Sequence, residues 1–287
     1  MSKSIVLFTR NISPESILRL YERLGVCLTG NIAVKLHSGE TGNQNFLRPE
    51  FFKPIINHVG GTVVECNTAY EGTRNTTEAH YKTMEEHGWS KHFKVDIMDE
   101  TAEIALPIIG GKHLKENFVG EHFKNYDSML VLSHFKGHPM GGFGGALKNI
   151  SIGIASSHGK AHIHGVGEVE KIWAADHDAF LECMADAAKS IMDALPDRIV
   201  FINVMKNMSV DCDCCAVAED PKIQDIGILA SLDPVALDKA CVDLVYGSDD
   251  IGKADLIERI ESRNGIHTIN AAAELGIGSL EYELIEI

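Results

Sequence analysis

The sequence predicts an α/β fold, a mostly parallel sheet flanked by helices. Short apolar runs alternate with amphipathic stretches at the pitch of βαβ units. Several of the amphipathic stretches carry helix punctuation, with Pro just inside the start or Gly just past the end. Loops bearing Gly, His and Lys follow the apolar runs, and that end of a parallel sheet is where ligands bind. The chain has 287 residues, 45% hydrophobic and 23% charged, which is ample for a sizeable core. We read residues 1–287 as one domain, and the pattern is compatible with two lobes meeting near residues 100–125.

The elements follow in order. SIVLF reads as a strand. SPESILRLYERLGV is a helix with Ser13 as N-cap, Pro14 at its first position and Gly25 at its end. NIAVKLHSG alternates like a strand entering a loop. RPEFFKPIINHVG is a helix that Pro54 bends or delays, stopped by Gly60 and Gly61. TVVECNT is a strand, TTEAHYKTMEEHG a polar helix closed by Gly88, and FKVDIMD another strand. SMLVLSH (Ser128–His134) is a buried strand running into the glycine-rich loop FKGHPMGGFGG, with ALKNISIGIA helical after it. Residues 156–178 show no periodicity and read as loop. AFLECMADAAKSIMDAL is a helix and RIVFINVM a strand. DIGILASLDPVALDKACVDLVYG gives a short strand, a turn, and a helix begun by Asp233 and Pro234. In the tail, NGIHTINAAAELGIG reads as helix and YELIEI as a last strand. No long linker and no strict repeat interrupts the pattern.

The formal charge is −15, from 26 Lys and Arg against 41 Asp and Glu. A field of that sign repels phosphate backbones, so nucleic acid is a poor partner. A small anion in a local basic pocket remains compatible with it. No apolar stretch approaches the roughly 20 residues of a membrane helix, and the apolar run in MSKSIVLFTRN is too short for a signal-peptide core. We therefore expect a cytoplasmic protein with no membrane partner. Seven cysteines are an odd count for a disulfide framework. Clustered cysteines in a reducing compartment point to metal or redox work.

Three of the seven lie in MSVDCDCCAV, as Cys212, Cys214 and Cys215. In extended chain, residues i and i+2 point the same way, so Cys212 and Cys214 can aim both sulfurs at one point. Thiolates are soft ligands for zinc, iron–sulfur clusters or copper(I). Asp211 and Asp213 add negative charge that helps to hold a cation. Two sulfurs do not complete a site. HFKGH offers His134 and His138 at a strand end, HIH offers His162 and His164, and KLH offers Lys35 and His37. The stretch GHPMGGFGGALKN reads as an anion cradle, with Gly142, Gly144 and Gly145 ahead of a helix and Lys136 and Lys148 on either side. It matches neither the dinucleotide-binding nor the P-loop pattern, so NAD and ATP are not indicated. Cys183 and Cys241 fall among apolar residues of helical patterns and read as core thiols.

NIAVKLHSGETGNQNFLRPEF, HFKGHPMGGFGGALKNISIG, CDC and DIGILASLDPVALDKACVDL together resemble the bacterial and archaeal domain-of-unknown-function family often labelled uncharacterised iron–sulfur centre proteins. The resemblance covers nearly the whole chain. Many relatives carry a two-cluster ferredoxin module with CxxCxxCxxxCP runs. This chain has no such run, so the resemblance implies the core domain only, with a separate ferredoxin as a conceivable partner. The N-terminal layout is also faintly similar to that of the nickel-pincer racemase apoproteins, which bind a cofactor between two α/β domains.

The expected site gathers Cys212 and Cys214 as metal ligands, with His134 or His138 as a third ligand or proton-transfer group. Lys35, Lys136, Lys148 and the Gly142–Gly145 backbone would hold an anionic substrate or cofactor. The expected cofactor is a metal ion, zinc or iron, or an iron–sulfur cluster. Three readings stay open: a metal-dependent or redox enzyme, a non-catalytic protein with structural zinc or an electron-transfer cluster, and a metal-free protein with an organic cofactor and a reactive thiol.

Overall fold

The structure, a computed structural model, describes residues 3–287. The N-terminal part alternates as expected: β1 (Ser4–Thr9), α1 (Pro14–Leu24), β2 (Ile32–Lys35), α2 (Pro49–Val59), β3 (Thr62–Glu65), α3 (Thr77–Glu86), α4 (Trp89–His92) and β4 (Val95–Ile97). A hairpin follows, β5 (Glu103–Pro107) and β6 (Glu116–Gly120). Next come β7 (Ser128–His134), the short hairpin β8 (Lys136–His138) and β9 (Gly142–Gly144), α5 (Ala146–Ile150), α6 (Ser157–His164) and α7 (His177–Ala194). The chain ends with β10 (Ile199–Met205), β11 (Gly227–Ser231), α8 (Pro234–Gly247), α9 (Lys253–Ser262), α10 (Ile266–Glu274) and β12 (Tyr282–Glu286).

Eight strands form one sheet in the order β12-β1-β11-β10-β7-β2-β3-β4. Every neighbouring pair is parallel except those of β11, which runs antiparallel to both β1 and β10. The mostly parallel α/β fold is therefore the observed one.

Alternation along the central strands divides the core in two. Leu130 and Leu132 of β7 join Ile17, Leu20, Phe52 and Ile55 of α1 and α2. Met129 and Val131 join Leu147 of α5 and Leu237 and Cys241 of α8. This is the period-two pattern of a strand buried on both faces. Ile17 and Leu20 are wholly buried, and each contributes on the order of 2 kcal/mol by leaving water. The helix starts obey their capping residues. Ser13 accepts from the Ser16 N–H with Pro14 beside it, and Asp233 accepts from the N–H groups of Val235 and Ala236 ahead of Pro234.

Two local expectations fail. Residues 157–164 are helix α6 rather than loop, started by Ser156, whose Oγ accepts from Gly159 N–H. Only Gly159, Lys160 and Ile163 of it are buried, so its sequence carries almost no apolar period. Likewise, the glycine-rich loop contains the β8–β9 hairpin. At Gly142 it turns through φ 77° and packs against Gly265, where a Cβ would lie 2.8 Å from that residue's Cα.

Candidate functional site

Strands β2, β3 and β7 are parallel, so their C-terminal ends, Lys35, Glu65 and His134, lie at one edge of the sheet. A cavity of ≈ 320 Å³ opens there. Its walls come from these strand ends, from the loop after β3, from β8 and β9, from α5 and α6, and from the cysteine loop. The volume suits a small organic ligand.

The cysteine loop is pinned by its backbone. Gly137 N–H donates to Ser209 O (2.8 Å), Glu40 N–H to Asp213 O (2.8 Å) and Arg259 Nη1 to Val210 O (2.6 Å). Gly137 admits this approach, since a Cβ there would sit 2.2 Å from Val210 O. Cys212 and Cys214 do turn to the same side: their sulfurs and a ring nitrogen of His138 lie within 4.8 Å of one another. Asp213, between them, turns the other way and takes His134 Nδ1 (2.9 Å) and Lys136 Nζ (3.0 Å). Burial alone would raise the Asp213 pKa, but His134 and Lys136 hold it far below the usual carboxylate range. Burial would likewise lower Lys136, and Asp213 overrides it upward. Asp211 accepts from Glu219 N–H and Arg259. Both carboxylates thus anchor the loop, rather than adding charge to a cation site as expected.

The cysteines are free thiols. A hydrogen bond with Cys214 and then burial push the Cys212 thiol up to about 11. Without a cation it carries its proton; a bound metal removes it outright. The histidines sort by their hydrogen bonds. His134 has both ring nitrogens occupied, by Asp213 and by Lys206 O (2.6 Å), so neither is free to ligate or to move a proton. His138 Nδ1 accepts from Gly141 N–H (2.8 Å) and Met140 N–H (3.2 Å). Its proton therefore sits on Nε2, and the ring stands beside the Cys212 and Cys214 sulfurs. Burial, then Lys148, lower the His138 pKa to about 4, so the ring is neutral. His37 accepts from Gly39 N–H through Nδ1 and leaves Nε2–H for the cavity. His164 has the opposite tautomer: Nδ1–H donates to Lys160 O (2.7 Å), which leaves a lone pair on Nε2. Burial holds His164 down at about 4.

Five cations line the cavity: Lys35, Arg74, Lys136, Lys148 and Lys160. Lys35 pairs with Glu65 (2.7 Å), and Arg74 with Glu40 (3.1 Å) and more distantly Glu65 (3.9 Å). Burial alone would raise Glu65; Lys35 foremost brings it down to about 2. Burial lowers the pKa of both Lys35 and Lys160.

Of the residues expected from sequence, Lys35, His134, Lys136, His138, Gly144, Gly145, Lys148 and Cys214 line the cavity, while Cys212 is buried and does not, its sulfur within 4.8 Å of that of Cys214. Gly142 does not; it serves the turn against Gly265. Nor is the backbone after Gly145 an open anion cradle. The N–H groups of Ala146 and Leu147 donate to Asp238 (2.7 and 2.9 Å), a carboxyl that burial pushes up to about 6. A Cβ on Gly145 would lie 2.3 Å from that carboxylate. His162 and His164, on a helix rather than extended chain, point apart: His162 packs on Phe118 while His164 lines the cavity. Glu65, Tyr70, Arg74, Lys160 and Trp173 were not singled out by sequence. The loop after β3 was readable, because the strand-end rule applied to β2 and β7 applies equally to TVVE and its loop.

The model of the family "Domain of unknown function (DUF362)" matches residues 32–243, about three quarters of the chain. The chain belongs to this family. The DUF362 match contains every residue of the cavity named above. No curated protein matches the chain. Among solved structures it is similar to the lactate racemase apoprotein from Thermoanaerobacterium thermosaccharolyticum, with 13% identity and a TM-score of 0.41 over 69% of this chain. It is also similar to a protein from Thermotoga maritima, with 13% identity and a TM-score of 0.42 over 91% of this chain. The DUF362 chain spans 50% and 58% of the lengths of these two proteins, and at that similarity no activity passes from them to it.

Proposed function

We propose that this cavity is the active site of a metal-dependent enzyme acting on a small anionic substrate, with Cys212 and Cys214 as the metal's thiolate ligands. The observation that carries the reading is the convergence of those two sulfurs and His138, within 4.8 Å, beside a cavity lined by five cations. Thiolates suit zinc or iron, and such a metal supplies Lewis-acid or redox chemistry when bound. Among the described residues no His, Cys or acidic side chain beyond Cys212, Cys214 and His138 joins the group, and His138 has its Nδ1 taken by backbone N–H groups, which leaves the two sulfurs as the protein ligands. That favours an open coordination sphere over a closed structural zinc site. His138 serves as an Nε2–H donor to the Cys212 sulfur, because its Nδ1 already accepts two backbone N–H groups. Proton transfer falls to His164, whose Nε2 lone pair accepts, and to His37, whose Nε2–H donates. His134 positions Asp213 and through it the cysteine loop.

The same His138 geometry favours a second reading, a metal-free reactive thiol beside an organic cofactor. An N–H aimed at sulfur steadies a thiolate whether or not a metal is present. Elemental analysis of protein purified anaerobically, without an affinity metal column, separates the two. We expect about one zinc or iron per chain, absent from the Cys212→Ser/Cys214→Ser variant. Metal-free wild-type protein with fully titratable thiols sinks the metal reading and leaves the second.

A further inference from the structure

The cavity's charges do not cancel. Three carboxylates contact its five cations: Glu65 between Lys35 and Arg74, Glu40 on Arg74, and Asp213 on Lys136. Two lysines are left over. Lys148, on α5, has no carboxylate or other hydrogen-bond partner among the described residues, and Gly144 beside it leaves room for its stem, a Cβ there lying 3.7 Å from Lys148 Cδ. Lys160, on α6, is 7% exposed and donates only to two backbone carbonyls, Ala155 O (2.6 Å) and Cys66 O (3.3 Å), which leaves its third proton free. Asp99 stands near Lys160 but spends its oxygens on the N–H groups of Asn67 and Ser157. A divalent metal on two thiolates is neutral overall, so the Lys148 and Lys160 ammonium groups lack a carboxylate hydrogen-bond partner whether or not a metal binds.

Lys160 is buried, and an isolated cation is costly to bury unless something pairs with it, while half-buried Lys148 still faces the cavity without a partner. The rest of the wall is of another kind. Tyr70, Met140, Ile152, Ile172 and Trp173 line it, and Trp173 stands 66% exposed. Apolar side chains and two lysines without carboxylate partners in one cavity fit a ligand with an apolar body and two negative charges.

We infer that the DUF362 cavity binds a small organic dianion, recognised by Lys148 and Lys160, with its carbon body against Tyr70, Ile152 and Trp173. Lys35 and Lys136, already paired, shape the site without carrying the recognition. The inference rests on the cavity being the functional site but not on the metal.

The molecule supplies its own reporter. Of its two tryptophans, Trp89 is fully buried against Phe52 of α2, and Trp173 lines the cavity. Tryptophan fluorescence is titrated with phenyl phosphate and succinate as dianions, and with benzoate as a monoanion of similar body. Saturable change is expected with at least one dianion, absent in Trp173→Phe, with benzoate at least about tenfold weaker. Phenyl phosphate ahead of succinate marks a phosphate monoester site, and the reverse order a dicarboxylate site. Lys148→Gln, which breaks no internal bond, should weaken the better dianion by about tenfold or more and benzoate less. Lys160→Gln should do the same, its amide still able to serve one of the two carbonyls. Repeating the titration in Cys212→Ser/Cys214→Ser separates the two proposals: retained affinity there with no metal in the wild type means the anion site stands and the metal reading falls. Equal affinity for benzoate and the dianions, unchanged affinity in Lys148→Gln, or no saturable signal with either dianion to about 10 mM overturns the inference.

Discussion

Two carboxylates of this molecule are held down to about 2, and they are held for different ends. Glu182, on α7, is ringed by Lys112, His113 and His267. One turn along, Asp186 accepts the N–H groups of Lys112, His113 and Leu114, each at 2.8 Å. Together they clamp the β5–β6 connection and α10 onto α7. Glu65 sits among Lys35, Arg74 and the Ser38 N–H and hydroxyl. Here the cations outnumber the carboxylates and face a void. At Glu182 the charges serve the fold and are spent on it. At Glu65 the fold spends carboxylates to hold cations it does not itself need. A low carboxylate pKa alone does not mark a functional site; unspent charge beside empty volume does.

The largest effect expected from this contrast is at Glu65. Glu65→Gln removes the charge that Lys35 and Arg74 share, and both are almost wholly buried. Its amide NH₂ must also face a donor, either the Lys35 ammonium or the Ser38 N–H. We expect a loss of roughly 3–5 kcal/mol in urea unfolding. A loss below about 1 kcal/mol would mean that water in the cavity already screens these cations, and would erase the difference between the two regions.

Glu182→Gln should cost less, roughly 2 kcal/mol at neutral pH, because its partners keep access to water. Its sharper signature is in acid. The folded pKa lies below the ordinary value, at about 2 rather than 4.5, so the stabilisation is fully present above pH 4.5 and fades as pH falls toward 2. Urea midpoints for wild type and variant should therefore converge across that window. Parallel midpoints would show that the clamp works through Asp186 and packing, with Glu182 a bystander.

The two regions also differ in how far sequence discloses them. Strand β7 is legible to the residue, because SMLVLSH is an unbroken apolar run bounded by polar residues. The caps at Ser13 and Asp233 are legible because they act within three residues of themselves. The cysteine pair is legible too, but for a reason the fold does not use: Cys215 N–H donates to Cys212 O (2.9 Å), so a turn rather than extended chain brings the Cys212 and Cys214 sulfurs together. Lys160 is not. It lies on a helix with almost no apolar period, and its lining role depends on β3, whose loop brings Tyr70 and Arg74 from far along the chain. The role of Asp238 at the start of α5 is equally long-range, separated from Ala146 by 92 positions. Local rules name candidates, while only the packed sheet edge decides which of them face the same space.

The smallest effect tests the contrast most directly. Lys148→Gln deletes a cavity cation that the fold does not use, so stability should change by no more than about 0.5 kcal/mol. The sign should be favourable, because Lys136 flanks the same glycine, a Cβ on Gly144 lying 3.8 Å from its Cε. Removing one of two neighbouring like charges relieves repulsion. The gain should shrink as salt is raised from low to about 0.5 M, since screening already weakens that repulsion in the wild type. Unfolding midpoints for the two proteins at both salt concentrations check this. If Lys148→Gln instead destabilises by more than about 1 kcal/mol, Lys148 has a structural partner in solution. The cavity would then be another internally satisfied cluster like that around Glu182.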